Sequence, residues 1–155
     1  MKKLVSILMV VLSISFVGCS SDDDGGNVGG EEIFLKFTYE GDNYNFEPET
    51  LTSLQKLIMG MEDVNDIQTR LSLWMPENPT TGTFDITDDT VTDANLNTLH
   101  SATLYVGDAT YDGVSGTMVI TSVTDEYVIG TFSFSGEDEN GVAIAVTNGS
   151  FKAYN

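Results

Sequence analysis

The stretch Gly130-Thr131-Phe132-Ser133-Phe134-Ser135 alternates apolar and small polar side chains after a glycine. Successive side chains of a β-strand point to opposite faces, so Phe132 and Phe134 should share one face and the serines the other. A strand with one apolar and one polar face is typical of an antiparallel sheet that covers a core on one side. The stretch therefore predicts a half-buried β-strand.

The same phrase occurs twice earlier in the chain. Residues 82–87 read Gly-Thr-Phe-Asp-Ile-Thr, and residues 116–121 read Gly-Thr-Met-Val-Ile-Thr. We expect three strands in matching registers, which give the sheet one apolar face and one face of Thr, Ser and Asp. A functional repeat would have a longer period, so we interpret the phrases as recurrent strand starts.

Alternation with period two also occurs in the amino-terminal half. Residues 33–39 and 44–46 flank a turn at 40–43 and predict a first hairpin. Residues 67–75 alternate again, while residues 51–61 fit both a helix face and a strand. We favour a strand over residues 56–61, because it can pair with residues 67–75 in a second hairpin.

Turn residues divide the rest of the chain. Asn140-Gly141 is a hairpin signal, Thr124 to Glu126 predicts a tight turn, and Asn148-Gly149 predicts a bulge. Residues 90–99 could form a helical turn capped by Thr92. The predicted fold class is all-β: a single antiparallel β-sandwich or small β-barrel with at most one or two short helical turns.

The amino terminus has the layout of an export signal. Lys2 and Lys3 precede an uncharged apolar run over residues 4–17, and the small Gly18 precedes Cys19. As a helix the run would be about 21 Å long at 1.5 Å per residue, whereas the hydrocarbon core of a bilayer is about 30 Å thick. We therefore assign residues 1–18 as a cleaved lipoprotein signal peptide.

Phe16-Val17-Gly18-Cys19 resembles the lipobox of bacterial lipoproteins, with Phe16 where leucine is usual. The resemblance implies that Cys19 is acylated and that the partner of the chain is a membrane, reached through a lipid anchor. The alternative is an ordinary secretory signal followed by a free cysteine.

Residues 19–30 are rich in glycine and acid and contain one valine, so we predict a lipidated, flexible, acidic tether. Within it, Ser21, Asp22, Asp23 and Asp24 resemble the acidic export signal that places Bacteroidota lipoproteins on the outer face of the outer membrane. The resemblance implies a lipid-anchored, cell-surface location. The alternative is a solvated linker without an address.

Residues 31–155 then form one β-rich domain. Its stretches 130–135, Gly-Thr-Phe-Ser-Phe-Ser, and 147–151, Thr-Asn-Gly-Ser-Phe, resemble a family of uncharacterised Bacteroidota cell-surface lipoproteins. These motifs are structural in type. The resemblance therefore implies a small β-rich surface lipoprotein and carries no activity over to any residue.

Charge excludes several classes of partner. Cleavage would remove Lys2 and Lys3 and leave four basic residues against 24 acidic ones, a formal charge of −20. Nucleic acid is excluded as a partner, because phosphates require clustered Lys and Arg. With Cys19 as the single cysteine, an internal disulfide and a thiolate zinc site are excluded as well.

Carboxylates are the abundant chemical groups. Oxygen ligands in clusters are what Ca²⁺ prefers, so calcium is the one cofactor that we consider, although no cluster has the EF-hand spacing and solvated loop acids are the alternative. His100, the single histidine, is interpreted as a surface or strand-edge residue rather than a catalytic base. The candidate calcium ligands are Asp85, Asp88, Asp89, Asp93, Asp108, Asp112 and the run 137–140.

Two aromatic side chains are candidate ligand contacts. Trp74 should point away from its apolar neighbours Leu73 and Met75, and Tyr111 lies in a turn-rich segment, 107–113, where no core need hold it. We interpret the domain as a non-catalytic binding or envelope component for an extracellular glycan or protein. The alternatives are a carboxylate-dependent glycan hydrolase and a small barrel that encloses a lipophile.

Overall fold

The computed structural model describes residues 32–155, which contain ten β-strands and no helix, so the predicted all-β class is confirmed. The predicted signal peptide, residues 1–18, and the predicted tether, residues 19–30, lie outside the described residues. The strands are β1 (Phe34–Tyr39), β2 (Asp42–Phe46), β3 (Glu49–Thr52), β4 (Gln55–Val64), β5 (Ile67–Pro76), β6 (Gly82–Ile86), β7 (Ser101–Val106), β8 (Ala109–Val123), β9 (Tyr127–Glu137) and β10 (Ala143–Tyr154).

All ten strands belong to one antiparallel sheet. Nine of them follow the order β2-β1-β10-β9-β8-β7-β5-β4-β3, and β6 pairs with β8. The long strand β8 makes this possible, because its first residues pair with β7 and its later residues pair with β6. The sheet curls into a half-barrel, which favours the barrel over the two-sheet sandwich that the sequence had left open.

Both amino-terminal hairpins form where the alternation predicts them. β1 and β2 are joined at Glu40-Gly41, and β4 and β5 are joined at Asn65-Asp66. All four turn residues have positive φ, as a two-residue turn that follows the twist of the flanking strands requires. Residues 56–61 lie within β4, so the preference for a strand over a helix there is confirmed.

The three Gly-Thr phrases align across β6, β8 and β9. Phe84 pairs with Met118, and Met118 pairs with Phe132, so one row of apolar side chains crosses all three strands. In β9 the phenylalanines 132 and 134 are buried and the intervening serines are exposed, as the alternation predicts. The matching registers and the two-faced sheet are therefore confirmed.

The predicted turns of the carboxyl-terminal half are also present. Thr124 accepts hydrogen bonds from the backbone of Glu126 and Tyr127 through its hydroxyl, and closes the β8–β9 turn. The β9–β10 turn covers residues 138–142 and is held by Asp138. At Asn148-Gly149 the β9–β10 register shifts, so the predicted bulge is confirmed.

The prediction for residues 90–99 is only partly right. Leu96 and Leu99 donate backbone hydrogen bonds to the carbonyls of Thr92 and Asn95, at 2.9 and 2.8 Å, but the segment is a series of turns and no helix forms. Thr92 is not the cap, since its own hydroxyl and backbone N–H both donate to Asn95 Oδ1. The amide side chain organises this loop because it can reach back to the preceding backbone.

The core lies on the inner face of the curled sheet. Each fully buried Leu, Ile, Phe or Met side chain contributes about 1.5–3 kcal/mol by leaving water. The largest side chains that are fully buried come from β1, β4 to β10, and they are Leu35, Phe37, Ile58, Leu71, Leu73, Met75, Ile86, Leu104, Met118, Ile120, Val128 and Phe151. Within residues 32–155 there is no helix long and apolar enough to cross a membrane.

The two ends of the sheet order approach each other. β2 continues into β3 through Glu47 and Pro48, yet β2 pairs with β1 and β3 pairs with β4. Thr50 of β3 donates a hydrogen bond through its hydroxyl to the carbonyl of Tyr154 at the end of β10, at 2.9 Å. The β2–β3 connection and this hydrogen bond therefore link the two edges of the sheet, which no strand pairing within residues 32–155 joins.

Candidate functional site

An acidic concavity lies where the β7–β8 and β9–β10 turns meet. It has a volume of about 780 Å³. Because β8 lies between β7 and β9 in an antiparallel sheet, the turn that precedes β8 and the turn that follows β9 come to the same end. Its charged lining residues are Asp88, Asp108, Asp112, Glu137, Asp138 and Glu139.

A smaller concavity of about 220 Å³ adjoins it on the outer face of the sheet. Its lining includes Trp74 together with Asp88, Asp89 and Asp112. Asp88 and Asp112 line both concavities, so the two adjoin each other. We call this combined feature the Trp74 groove.

The pleat of β5 places Trp74 in this groove. Leu73 and Met75 are fully buried on the inner face, so the intervening Trp74 points outward and is half-buried there. Leu57 and Ser101 flank it on the neighbouring strands. The expectation that Trp74 points away from Leu73 and Met75 is therefore confirmed, and Thr87, Asp88 and Asp89 line the same concavity as its ring.

Hydrogen bonds from threonines orient two of the groove carboxylates. Thr103 Oγ1 donates to Asp112 Oδ1 at 3.1 Å across the β7–β8 pair. Thr87 Oγ1 donates to Asp89 Oδ2 at 3.0 Å. Each bond uses one acceptor position of an exposed carboxylate and leaves the others for a ligand.

Asp138 has a structural role at the groove rim. Its Oδ1 accepts hydrogen bonds from the backbone N–H groups of Val142 and Asn140, at 2.7 and 2.9 Å. These bonds favour the ionised carboxylate and hold the pKa of Asp138 below its ordinary value, with the Val142 bond contributing most. Asp138 thus shapes the turn that carries its neighbours Glu137 and Glu139.

Other predicted site residues lie elsewhere. Tyr111 belongs to β8 rather than to a turn, and its half-buried ring packs against the core 6.5 Å from that of Tyr39. Burial, and then Glu40 and Tyr111, raise the pKa of Tyr39. Asp85 pairs with Thr117 in the β6–β8 ladder and Asp93 lies in the following loop, and neither lines the groove. Cys19, Ser21, Asp22, Asp23 and Asp24 lie outside the described residues.

The calcium hypothesis gains no geometric support. Across residues 32–155 there is no group of three or more His, Cys, Asp or Glu side chains placed to hold a metal ion. The candidate ligands Asp88, Asp89, Asp108 and Asp112 approach the same groove, but as exposed side chains on its lining. Calcium binding by these residues stays a prediction.

Three basic side chains, those of Lys56, His100 and Lys152, are buried, and the sequence did not predict their burial. His100 is 2 % exposed, so its expected place at the surface is wrong, although it does lie at a strand edge and bridges to Ile86 just before β7. Lys56 is 4 % exposed, and burial lowers its pKa while Glu77 opposes that effect. Lys56 pairs with Met75 and lies on the inner face. The alternation of polar and apolar residues does not predict this inward position of a lysine.

Comparison with protein-family models, with curated proteins and with solved structures found no match to the chain.

Proposed function

We propose that this chain is a lipid-anchored cell-surface protein of the outer membrane whose domain binds an extracellular ligand without catalysis, and that the ligand is a neutral glycan held in the Trp74 groove. The observation that carries the proposal is the position of a half-buried indole ring beside several exposed carboxylates. An apolar ring face packs against the C–H face of a sugar, and the carboxylates accept hydrogen bonds from its hydroxyls.

The charge of the groove selects among glycans. Asp88, Asp108 and Asp112 are exposed and lie on its lining. Acidic sugars and sulfated chains would bring like charges into contact, whereas neutral sugars bring hydroxyl donors. We therefore infer a neutral ligand.

Two observations favour binding over the alternatives. A hydrolase needs one carboxyl group kept protonated by burial, whereas the carboxylates of Asp88, Asp89 and Asp112 are exposed. A lipophile carrier needs space inside the barrel, whereas core side chains occupy the inner face of this sheet. The outer groove remains the better candidate for a ligand.

The single tryptophan makes the groove directly observable. Trp74 is the one tryptophan of the chain, so its fluorescence reports on this site alone. The mature chain in detergent is titrated with neutral and with acidic polysaccharides, and we expect neutral chains to shift the emission of Trp74. Acidic polysaccharides should leave it unchanged.

Calorimetry on variants then locates the ligand. Trp74→Ala should weaken binding by about tenfold or more, equal to about 1.4 kcal/mol, because an aromatic contact at the centre of a site dominates its affinity. Thr131→Ala changes an exposed position on the outer face of β9 and is the matched control. Equal affinities in parent and Trp74→Ala would rule out the groove as the binding site.

The anchor has a separate test. Radiolabelled palmitate should enter the parent chain and be absent from Cys19→Ser, because acylation needs the thiol. Label that persists in Cys19→Ser would end the lipoprotein interpretation while leaving the groove untouched.

A further inference from the structure

Three aromatic side chains, Phe34, Tyr127 and Tyr154, belong to the end of the sheet where β1 begins and β10 ends. Phe34 is the first residue of β1, and Tyr154 is the last residue of β10 and pairs with Tyr127. The Tyr127 and Tyr154 rings stack with centroids 5.6 Å apart and planes at 25°. Tyr154 is 53 % exposed, so this aromatic stack faces solvent on the outer side of the sheet.

Two lysines lie over these rings. Lys36 Nζ is 4.6 Å from the Phe34 centroid, and Lys152 Nζ is 4.3 Å from the Tyr127 centroid. A cation over a ring face is attracted to the electron density of the ring. The aromatic cluster is thus bordered by positive charge, although acids greatly outnumber bases in the chain.

Exposed leucines extend the same area. Leu51 of β3 is 53 % exposed, and Leu54 in the β3–β4 turn is 71 % exposed. The hydrogen bond from Thr50 to the Tyr154 carbonyl holds β3 against the end of β10. We call the combined area the β1-end surface, and its members are Phe34, Lys36, Leu51, Leu54, Tyr127 and Tyr154.

The acidic end of the domain lies opposite. β9 starts at Tyr127 on the β1-end surface and finishes at Glu137 on the Trp74 groove. Ten residue steps along a strand cover about 33 Å. The aromatic and acidic ends are therefore separated by most of the height of the barrel.

We propose that the β1-end surface rests on the lipid–water interface of the membrane that anchors the chain. The inference rests on the lipid anchor of the proposed function. Twelve residues separate Cys19 from Glu32, and in any conformation they reach at most about 43 Å. The described chain begins at Glu32, next to β1, so the tether joins the domain at the end of the sheet that carries the β1-end surface.

The composition of the surface suits that interface. Tyrosine rings and leucines are stabilised at the boundary of headgroups and acyl chains. A half-buried lysine such as Lys36 suits the same boundary, because a lysine stem can lie along apolar surface while its ammonium stays in water. Apolar contact provides the attraction, because the overall negative charge of the chain would repel an anionic surface. This orientation points the acidic end of the Trp74 groove away from the membrane, towards the medium.

A single engineered thiol can test the contact. Cys19 is the one cysteine of the chain and is blocked once it is acylated, so Leu54→Cys can be labelled selectively with an environment-sensitive fluorophore. The acylated full-length mature chain is placed in phosphatidylcholine vesicles with and without nitroxide-labelled lipid. Val142→Cys, in the β9–β10 turn and 53 % exposed, is the matched control at the opposite end.

We expect the label at position 54 to be quenched several-fold more strongly than the label at position 142, and to shift to shorter wavelength on reconstitution. Equal, weak quenching at both positions in an acylated chain overturns the β1-end contact and leaves the anchor intact. A blue shift at position 54 that needs no lipid and grows with protein concentration also overturns it, in favour of a second copy. A parent chain that lacks acyl groups, shown by mass spectrometry, overturns anchor and contact together.

Discussion

Gly60 of β4 lies directly against Phe46 of β2, although β2 is the first strand of the sheet order and β4 the last but one. A Cβ at residue 60 would lie 2.6 Å from the Phe46 Cβ, closer than real side-chain atoms approach. Phe46 is 2 % exposed and contacts the Phe37 ring edge-on, with centroids 5.5 Å apart. The absence of a side chain at Gly60 therefore allows the sheet to curl on itself.

Gly60→Ala should consequently destabilise the domain by about 1–3 kcal/mol, because the Phe46 side chain and the local backbone must move to admit the methyl group. Urea unfolding followed by circular dichroism measures the change. Gly141→Asn is the control, since Gly141 has open space around it and asparagine tolerates its positive φ. Equal stability of Gly60→Ala and parent would mean that β2 and β4 are not in contact.

The register of β9 can be tested with adjacent residues. Phe132 is 3 % exposed and its ring lies 6.3 Å from that of Phe151, whereas Ser133 is exposed. Phe132→Ala should cost about 3–5 kcal/mol through lost burial and a residual cavity. Ser133→Ala should change the unfolding free energy little, and similar losses at both positions would show that β9 does not bury one face.

Alternation along a strand predicts which face of the sheet each side chain takes, but it does not predict which strands pair with one another. Phe132, Ser133 and Trp74 take the faces that the sequence predicts, because a pleat reverses at every residue. Tyr111 was misplaced because its inner-face neighbour along β8 is Gly113, which has no side chain to reveal the period. His100 is buried with the Phe84 ring stacked on it, and no local sequence pattern predicts that contact.

The acidic site was predictable in part. Asp88, Asp108 and Asp112 were candidates from composition, and the hairpin pattern implies that the turns after β7 and β9 share one end. The juxtaposition with Trp74 depends on β5 lying beside β7, an arrangement between strands separated by β6 in sequence. Neither periodicity nor turn residues specify that pairing.

His100 should make stability depend on pH. Its Nδ1 lies 2.9 Å from the Thr98 carbonyl and therefore carries the proton, while the buried Nε2 has no partner among the described residues. The Phe84 ring stacks on it at 4.1 Å. Burial lowers the pKa of His100 below the ordinary 6.5, against a smaller opposite effect of the Thr98 bond.

The sign follows from linkage. The unfolded chain takes up a proton at His100 as pH falls through 6.5, while the folded chain resists it, so stability from this group is complete above pH 6.5 and is lost below it. The loss is at most about 1.4 kcal/mol per pH unit. Urea unfolding between pH 8 and pH 5 should show a smaller decline for His100→Phe than for the parent, and parallel pH profiles would contradict the assignment.

The acidic run after Cys19 should act as an address. Changing Asp22, Asp23 and Asp24 together to alanine should leave the chain acylated and membrane-bound yet protected from protease added to whole cells, if these carboxylates direct export to the outer face. Immunoblotting after protease treatment measures the exposed fraction.

The matched control replaces Asp88, Asp89 and Asp108 by alanine, which removes the same number of negative charges from exposed loop positions of the domain. Protease should digest that control like the parent, because it keeps the run. Equal digestion of all three chains would reduce the run to a linker, and protection of both variants would assign the effect to net charge rather than to the position of the acids beside the anchor.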